Sequence, residues 1–270
     1  MNPAEFQFIA TFLKDRSGLV LSSDKAYLLE SRLMPIARKM EIASVDDLIA
    51  EMRRSNSEDL KTKITEAMTT NESFFFRDQK PFDLFTDRVL PGLLESRAST
   101  KSFRIWCAAS SSGQEPYSLA ILLKERAAKL SGWRHDIVAT DISHDILKKA
   151  VAGEYSQFEV QRGMPITLLV KYFDKVDDHW VLKEEIRRMV QFKYFNLLDS
   201  MSGLGKFDVV FCRNVLIYFD PPTKAKVLAS IAGLMPDDGL LFLGGAETVL
   251  GISDKFEPVK GQRGLYQVVR

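Results

Sequence analysis

At 270 residues the chain has room for one large core or two smaller ones, since single cores stop growing at roughly 250 to 300 residues. Hydrophobic residues at 46% can fill such a core, while 37 Lys and Arg against 36 Asp and Glu leave a net charge of +1, so no global field draws the protein to nucleic acid or anionic lipid. Cys107 and Cys212 each sit within an apolar run, which points to reduced, buried thiols in a cytosolic setting rather than a disulfide.

Residues 1–16 carry Glu5, Lys14 and Asp15 among their apolar positions, which is not the pattern of a signal peptide, and no later window reaches membrane-spanning length. Apolar residues then recur at helical spacing: Phe6, Ile9, Phe12 and Leu13; Tyr27, Leu28, Leu33 and Ile36; Leu60, Ile64 and Met68. Ser44-Val45-Asp46-Asp47 resembles a capping box with Asp in place of Glu, and Ser57 with Glu58 can start the next helix. We read residues 1–75 as a small helical domain, and 76–100 as a linker containing a helix over 81–97.

From residue 101 the pattern changes. Runs at 103–108, 136–140, 189–195, 207–212 and 240–243 read as strands, mostly separated by helical segments, which predicts a parallel sheet covered on both faces: a doubly wound α/β domain over 101–270. A short hairpin around Asp177-Asp178 predicts an inserted β-subdomain at about 171–188, and 256–259 with 265–269 predicts a terminal antiparallel hairpin, which favours a methyltransferase over a dehydrogenase.

Ligands of open α/β sheets bind beyond the carboxyl ends of the strands. The first strand ends in Ala108-Ala109-Ser110-Ser111-Ser112-Gly113-Gln114-Glu115-Pro116, small residues before a helix that suit either close ligand approach or a plain turn; a dinucleotide-type GxGxxG is absent. Asp141 ends the second strand and can accept from ribose hydroxyls, with Ser143 able to cap the following helix in its place. Asn196 can hold an adenine edge or cap a turn. Arg213-Asn214, after the central strand, reads as part of a site.

Four segments in order, Asn71-Glu72-Ser73-Phe74-Phe75-Phe76-Arg77, Ser111-Ser112-Gly113-Gln114-Glu115-Pro116-Tyr117-Ser118, Ala139-Thr140-Asp141-Ile142-Ser143 and Phe211-Cys212-Arg213-Asn214-Val215-Leu216-Ile217-Tyr218-Phe219, together resemble the CheR-type chemotaxis receptor methyltransferases. The resemblance covers essentially the whole chain. It implies an S-adenosylmethionine-dependent protein-glutamate O-methyltransferase that leaves S-adenosylhomocysteine as product. It also implies cofactor contacts at Asn71, Ser73, Arg77, Glu115, Asp141, Asn196, Leu197, Arg213 and Asn214, catalytic placement of Arg77 and Tyr218 near the transferable methyl, and substrate-facing Arg32 and Arg38. The implied partner is the cytoplasmic helical region of methyl-accepting receptors, met by a cytoplasmic monomer without membrane insertion or nucleic acid. Ser73 departs from a common Thr, and Ala109 from a Gly that many members carry. Some members grip a receptor tail peptide through the inserted hairpin; the short turn at 176–179 leans against that tether here.

The chemistry agrees with the composition of the site. A glutamate with an ordinary pKa of about 4.3 is already an ionised nucleophile at neutral pH, so no general base is required. No catalytic triad is evident, and His135, His144 and His179 lack metal-ligand spacing with the cysteines, so no metal is expected. Pro35 predicts a bend or end in the helix carrying Arg32 and Arg38. Two rivals are a non-catalytic S-adenosylmethionine sensor and a nucleic-acid amino-methyltransferase suggested by Asp220-Pro221-Pro222-Thr223; in the latter motif Thr223 replaces the aromatic that grips a flipped base.

Overall fold

A computed structural model describes residues 3–269, which divide into two compact units. One runs up to Thr70 and takes in the segment Tyr218–Thr223; the other holds Asn71–Ile217 and the rest of the chain from Lys224.

The first unit is helical, built from α1 (Pro3–Ser17), α2 (Ala26–Lys39), α3 (Val45–Ser55) and α4 (Glu58–Met68). Its core gathers most of the periodic apolar positions, among them Ile9, Leu13, Leu33, Leu60 and Ile64, together with Leu29, Leu48 and Ile49, whereas Tyr27, placed on the stripe by spacing, is exposed. Ser44 caps α3 by accepting from the Asp47 N–H at 3.1 Å, and Ser57 caps α4 by accepting from the Leu60 N–H at 3.3 Å. Pro35 neither ends nor divides α2, which continues to Lys39. A proline forfeits one backbone hydrogen bond and crowds the preceding turn, and here burial of Leu29, Leu33 and Ala37 on one face, packed against α3 and α4, outweighs that cost.

The second unit opens with α5 (Lys80–Leu84), one π-helical turn (Phe85–Val89) and α6 (Leu90–Ser96). The linker helix starts at Lys80, within one residue of the expected 81–97, and the preceding residues form a turn with left-handed backbone at Phe76, Asp78 and Gln79. Next come β1 (Ser102–Ala108), α7 (Gln114–Lys124), β2 (Arg134–Asp141), α8 (His144–Ala152), β3 (Glu154–Ser156), α9 (Gln157–Gln161), α10 (Ile166–Tyr172), β4 (Phe173–Val176), β5 (His179–Leu182), α11 (Glu184–Arg187), β6 (Val190–Tyr194), β7 (Val209–Cys212), α12 (Pro221–Gly233), β8 (Leu240–Leu243), β9 (Phe256–Pro258) and β10 (Leu265–Val268).

Among the described residues seven strands form one sheet in the order β6-β2-β1-β7-β8-β10-β9. The pairs from β6 through β8 are parallel, and β10 runs antiparallel to both β8 and β9, as the terminal hairpin predicts. The central strands are buried on both faces, with the consecutive residues Ile105 and Trp106, Ile137 and Val138, and Val209 and Val210 all inaccessible or nearly so, which explains their unbroken apolar runs. Cys107 and Cys212 are free, and burial pushes both thiols well above their ordinary pKa. The inserted subdomain is larger than the sequence indicates: β3, from outside 171–188, pairs with β5 and completes a three-stranded antiparallel sheet ordered β3-β5-β4. A three-residue strand is too short to show an alternating pattern. Among the described residues no helix is long and apolar enough to cross a membrane.

Candidate active site

The order reverses between β1 and β7: β1 leads out to β2 and β6, whereas β7 leads the other way to β8. Their carboxyl ends therefore flank a crevice at a topological switch point. After β1 the chain turns through left-handed backbone at Ala109 (φ 55°), Ser111 (φ 51°) and Gly113 (φ 92°) into the N-terminus of α7. A Cβ on Gly113 would lie 3.1 Å from the Phe192 and Tyr117 rings and 3.2 Å from Ala150, so a side chain would be strained by the backbone conformation and tightly crowded. Ser110 is 2% exposed and its hydroxyl has no hydrogen-bond partner. A buried, unsatisfied hydroxyl in a loop of small residues at a helix N-terminus suits a polar ligand pressed against the backbone.

Asp141, at the end of β2, is buried and tied to both neighbouring loops. Its Oδ2 accepts from the Ser111 N–H at 2.8 Å and its Oδ1 from the Ser143 N–H at 3.0 Å. Ser143 does cap α8, accepting from the Ile146 N–H at 3.3 Å, but this does not release Asp141 from structural duty as the sequence suggests, because the carboxylate joins the β1 loop to the β2 loop. After β6, Asn196 Oδ1 accepts from the Leu198 N–H at 3.1 Å and closes a turn that buries Leu197. Nearby the His144 and Tyr194 rings stack with centroids 4.1 Å apart.

Arg213, directly after β7, has a side chain only 1% exposed. Its Nη1 donates to Glu115 Oε2 at 2.7 Å, and its Nη2 donates to Asp78 Oδ2 at 2.7 Å and to the Arg77 carbonyl at 2.9 Å. Burial pushes the Glu115 carboxyl above its ordinary value, against the pull of the Arg213 guanidinium. One buried cation thus joins α7, the end of β7 and the turn before α5.

That turn is held from several sides. The Phe76 N–H donates to Ser118 Oγ at 3.0 Å, and the Phe75 carbonyl packs so closely on Gly163 that a Cβ there would lie 2.0 Å from its oxygen. Non-glycine residues with positive φ at Phe76, Asp78 and Gln79 carry strain that persists only where the surroundings over-determine it. Arg77 sits within this turn. Its side chain donates to the Glu72 carbonyl at 2.8 Å and lies 5.3 Å over the Phe74 ring, while Asp78 pairs with Arg213. The Asn71 carbonyl accepts from Ser111 Oγ at 2.9 Å, and Ser73 is half-buried in the same stretch. Asn71, Ser73, Arg77, Glu115, Asp141, Asn196, Leu197, Arg213 and Asn214 all belong to the sheet unit.

Glu247, which sequence reasoning passed over, makes backbone contacts at the same edge. Its carboxylate accepts from the N–H groups of Asn214, Val215, Ile217 and Gly244. The signal in the sequence is faint: a Glu shortly after Gly244-Gly245 beyond an apolar strand.

The remaining predicted residues lie in the helical unit. Arg32 reaches the C-terminus of α4, donating to the Met68 carbonyl at 2.7 Å, the Thr69 carbonyl at 3.0 Å and Thr70 Oγ1 at 3.0 Å. Arg38 is exposed and shares a surface hollow of about 500 Å³ with Tyr27, Glu30, Ser31, Met34 and Pro35. The Tyr218 carbonyl accepts from the Val20 N–H at 2.9 Å. Asp220 accepts from the Thr223 N–H at 3.0 Å and pairs with Lys14 at 2.7 Å, bonds that hold its carboxyl well below the ordinary range. Asp220-Pro221-Pro222-Thr223 is therefore a helix start, with Pro221 and Pro222 in the first turn of α12.

Residues 4–69 match the family model described as CheR methyltransferase, all-alpha domain, and residues 71–265 match CheR methyltransferase, SAM binding domain. Among similar proteins, chemotaxis protein methyltransferase 1 of Vibrio cholerae serotype O1 is 41% identical over 97% of this chain and 95% of its own. Chemotaxis protein methyltransferase 1 of Pseudomonas aeruginosa is also 41% identical, over 97% of this chain and 96% of its own. A chemotaxis protein methyltransferase of Vibrio parahaemolyticus is 40% identical over the same share of this chain.

Proposed function

Because this chain belongs to the CheR methyltransferase family, with both its all-alpha and its SAM-binding domain, we propose that it methylates glutamate carboxylates on the cytoplasmic helical region of methyl-accepting chemotaxis receptors. It is an S-adenosylmethionine-dependent methyltransferase; when bound, that donor supplies a methyl on a sulfonium whose sulfur leaves as a neutral thioether.

The observation that carries the reading is the convergence of Glu115, Asp141 and Arg213-Asn214 on one sheet edge beside a loop of small residues with an unpartnered buried hydroxyl. These groups fit a zwitterionic nucleoside. In this proposal Asp141 accepts from ribose hydroxyls, Asn196 and Leu197 border the base, and Glu115, Arg213, Asn214, Asn71 and Ser73 surround the amino-acid end. Arg77 orients the reacting groups. None of these residues has to remove a proton, because the acceptor carboxylate, with a pKa of about 4.3, is ionised at neutral pH. The protein's contribution is alignment and exclusion of water, which supply roughly 7 to 11 kcal/mol in well-oriented systems.

Arg38 offers an exposed cation to an acidic helical substrate, and Arg32, on a different stripe of the continuous α2, holds the end of α4. We also propose a cytoplasmic monomer that takes no nucleic acid substrate. Incubation with labelled S-adenosylmethionine, receptor cytoplasmic fragments and nucleic acid tests the reading. Base-labile label on receptor glutamates is expected; label on nucleic acid, or on no acceptor, would overturn it.

A further inference from the structure

We propose that Glu247 is a positioning residue for the cofactor crevice: its carboxylate holds the turn that presents Asn214. Glu247 lies in the turn after β8, which its own N–H closes onto the Gly244 carbonyl at 3.0 Å. Oε2 accepts from the Gly244 N–H at 2.6 Å and the Asn214 N–H at 2.8 Å; Oε1 accepts from the Val215 N–H at 3.0 Å and the Ile217 N–H at 3.2 Å. Three of these four donors belong to the stretch just after Arg213, where Asn214 takes left-handed backbone at φ 60°.

The chemistry calls for a carboxylate. An ionised carboxylate presents two acceptor oxygens with about four lone-pair sites and no donor, which matches four converging N–H groups. An amide presents one acceptor and an NH2 that would face two of those donors. Gly244 completes the arrangement: a Cβ there would lie 2.7 Å from both Asn214 Nδ2 and Glu247 Oε2, so a larger residue would displace these side-chain ends. Glu247 touches the crevice through the backbone of Asn214, so it acts by placing that residue. The inference rests on the reading of Arg213-Asn214 as cofactor-contacting and is independent of which acceptor is methylated.

The test is calorimetric binding of S-adenosylhomocysteine to Glu247→Gln, Gly244→Ala and, as a control on the underlying reading, Asn214→Ala, with folding followed by circular dichroism. All three variants are expected to fold. Glu247→Gln and Gly244→Ala should weaken binding by about tenfold or more, as loss of charge-assisted hydrogen bonds predicts, while the KM for a receptor acceptor stays within about twofold. If Asn214→Ala weakens binding and Glu247→Gln does not, the positioning role is overturned. If Glu247→Gln fails to fold, the residue serves the fold rather than the crevice, and the proposal falls. Unchanged binding by Asn214→Ala would remove the crevice reading itself and this inference with it.

Discussion

In the helical unit, several ion pairs lie one turn apart on the surface. Lys63 pairs with Asp59, their side chains 57% and 74% exposed, and Arg54 pairs with Glu51 in the same way. In the sheet unit Arg213 is 1% exposed and joins Glu115, itself 12% exposed, to Asp78 and the Arg77 carbonyl, groups drawn from separate parts of the chain. The surface pairs ride on helices that packing already stabilises, whereas Arg213 is enclosed by groups that only the complete fold assembles. Most of the strained backbone follows the second pattern: among the described residues six of the ten non-glycine residues at positive φ, Phe76, Asp78, Gln79, Ala109, Ser111 and Asn214, lie around this network, whereas Glu41, Asn56, Lys101 and Asp177 lie elsewhere. Local rules are broken where the site is built, as expected when a fold trades local preference for a specific constellation.

Arg213→Leu should break that contrast most sharply. Removing one partner of a buried pair leaves Glu115 uncompensated and should cost about 3 to 5 kcal/mol in urea unfolding, with S-adenosylhomocysteine binding lost. Retained binding would mean the network is dispensable. Arg32→Ala should cost less, about 1 to 2 kcal/mol, because it removes a charged cap from the end of α4. Thermal unfolding should register it, whereas Arg38→Ala should leave stability unchanged and lower receptor methylation only. Ala109→Gly should stabilise by about 1 kcal/mol, since Ala pays for left-handed backbone that glycine adopts freely. Lys63→Ala should change unfolding by less than about 0.5 kcal/mol, as exposed pairs do.

The smallest effect is a slope with pH. Burial lowers the pKa of His135 from 6.5, and its buried Nδ1 has no hydrogen-bond partner, so the folded state holds the ring neutral while the unfolded chain protonates it. Between the two values the unfolded state binds more protons. Stability from this group is therefore complete above pH 6.5 and declines as pH falls below it, levelling off once the folded ring also protonates. Replacing His135 with Phe should flatten this part of a plot of unfolding midpoint against pH.

What could be read from the chain alone was what acts over a few residues. The stripes of α1, α2 and α4, the Ser44, Ser57 and Ser143 caps and the apolar runs of the parallel strands each follow from backbone periodicity or a hydrogen bond spanning three positions. The four motifs also marked the sheet-edge residues, Glu115, Asp141, Arg213 and Asn214, that are proposed to face the cofactor. Tertiary structure alone decided their partners: β3 joining β5, Arg213 reaching Glu115 across 98 residues, and Glu247 closing on Asn214 across 33. It also carried α2 through Pro35, because packing against α3 and α4 offset the missing hydrogen bond. Such contacts form only after long loops have closed and the sheet order is set, so periodicity, which records the face a residue turns inward, holds no information on what it will meet there.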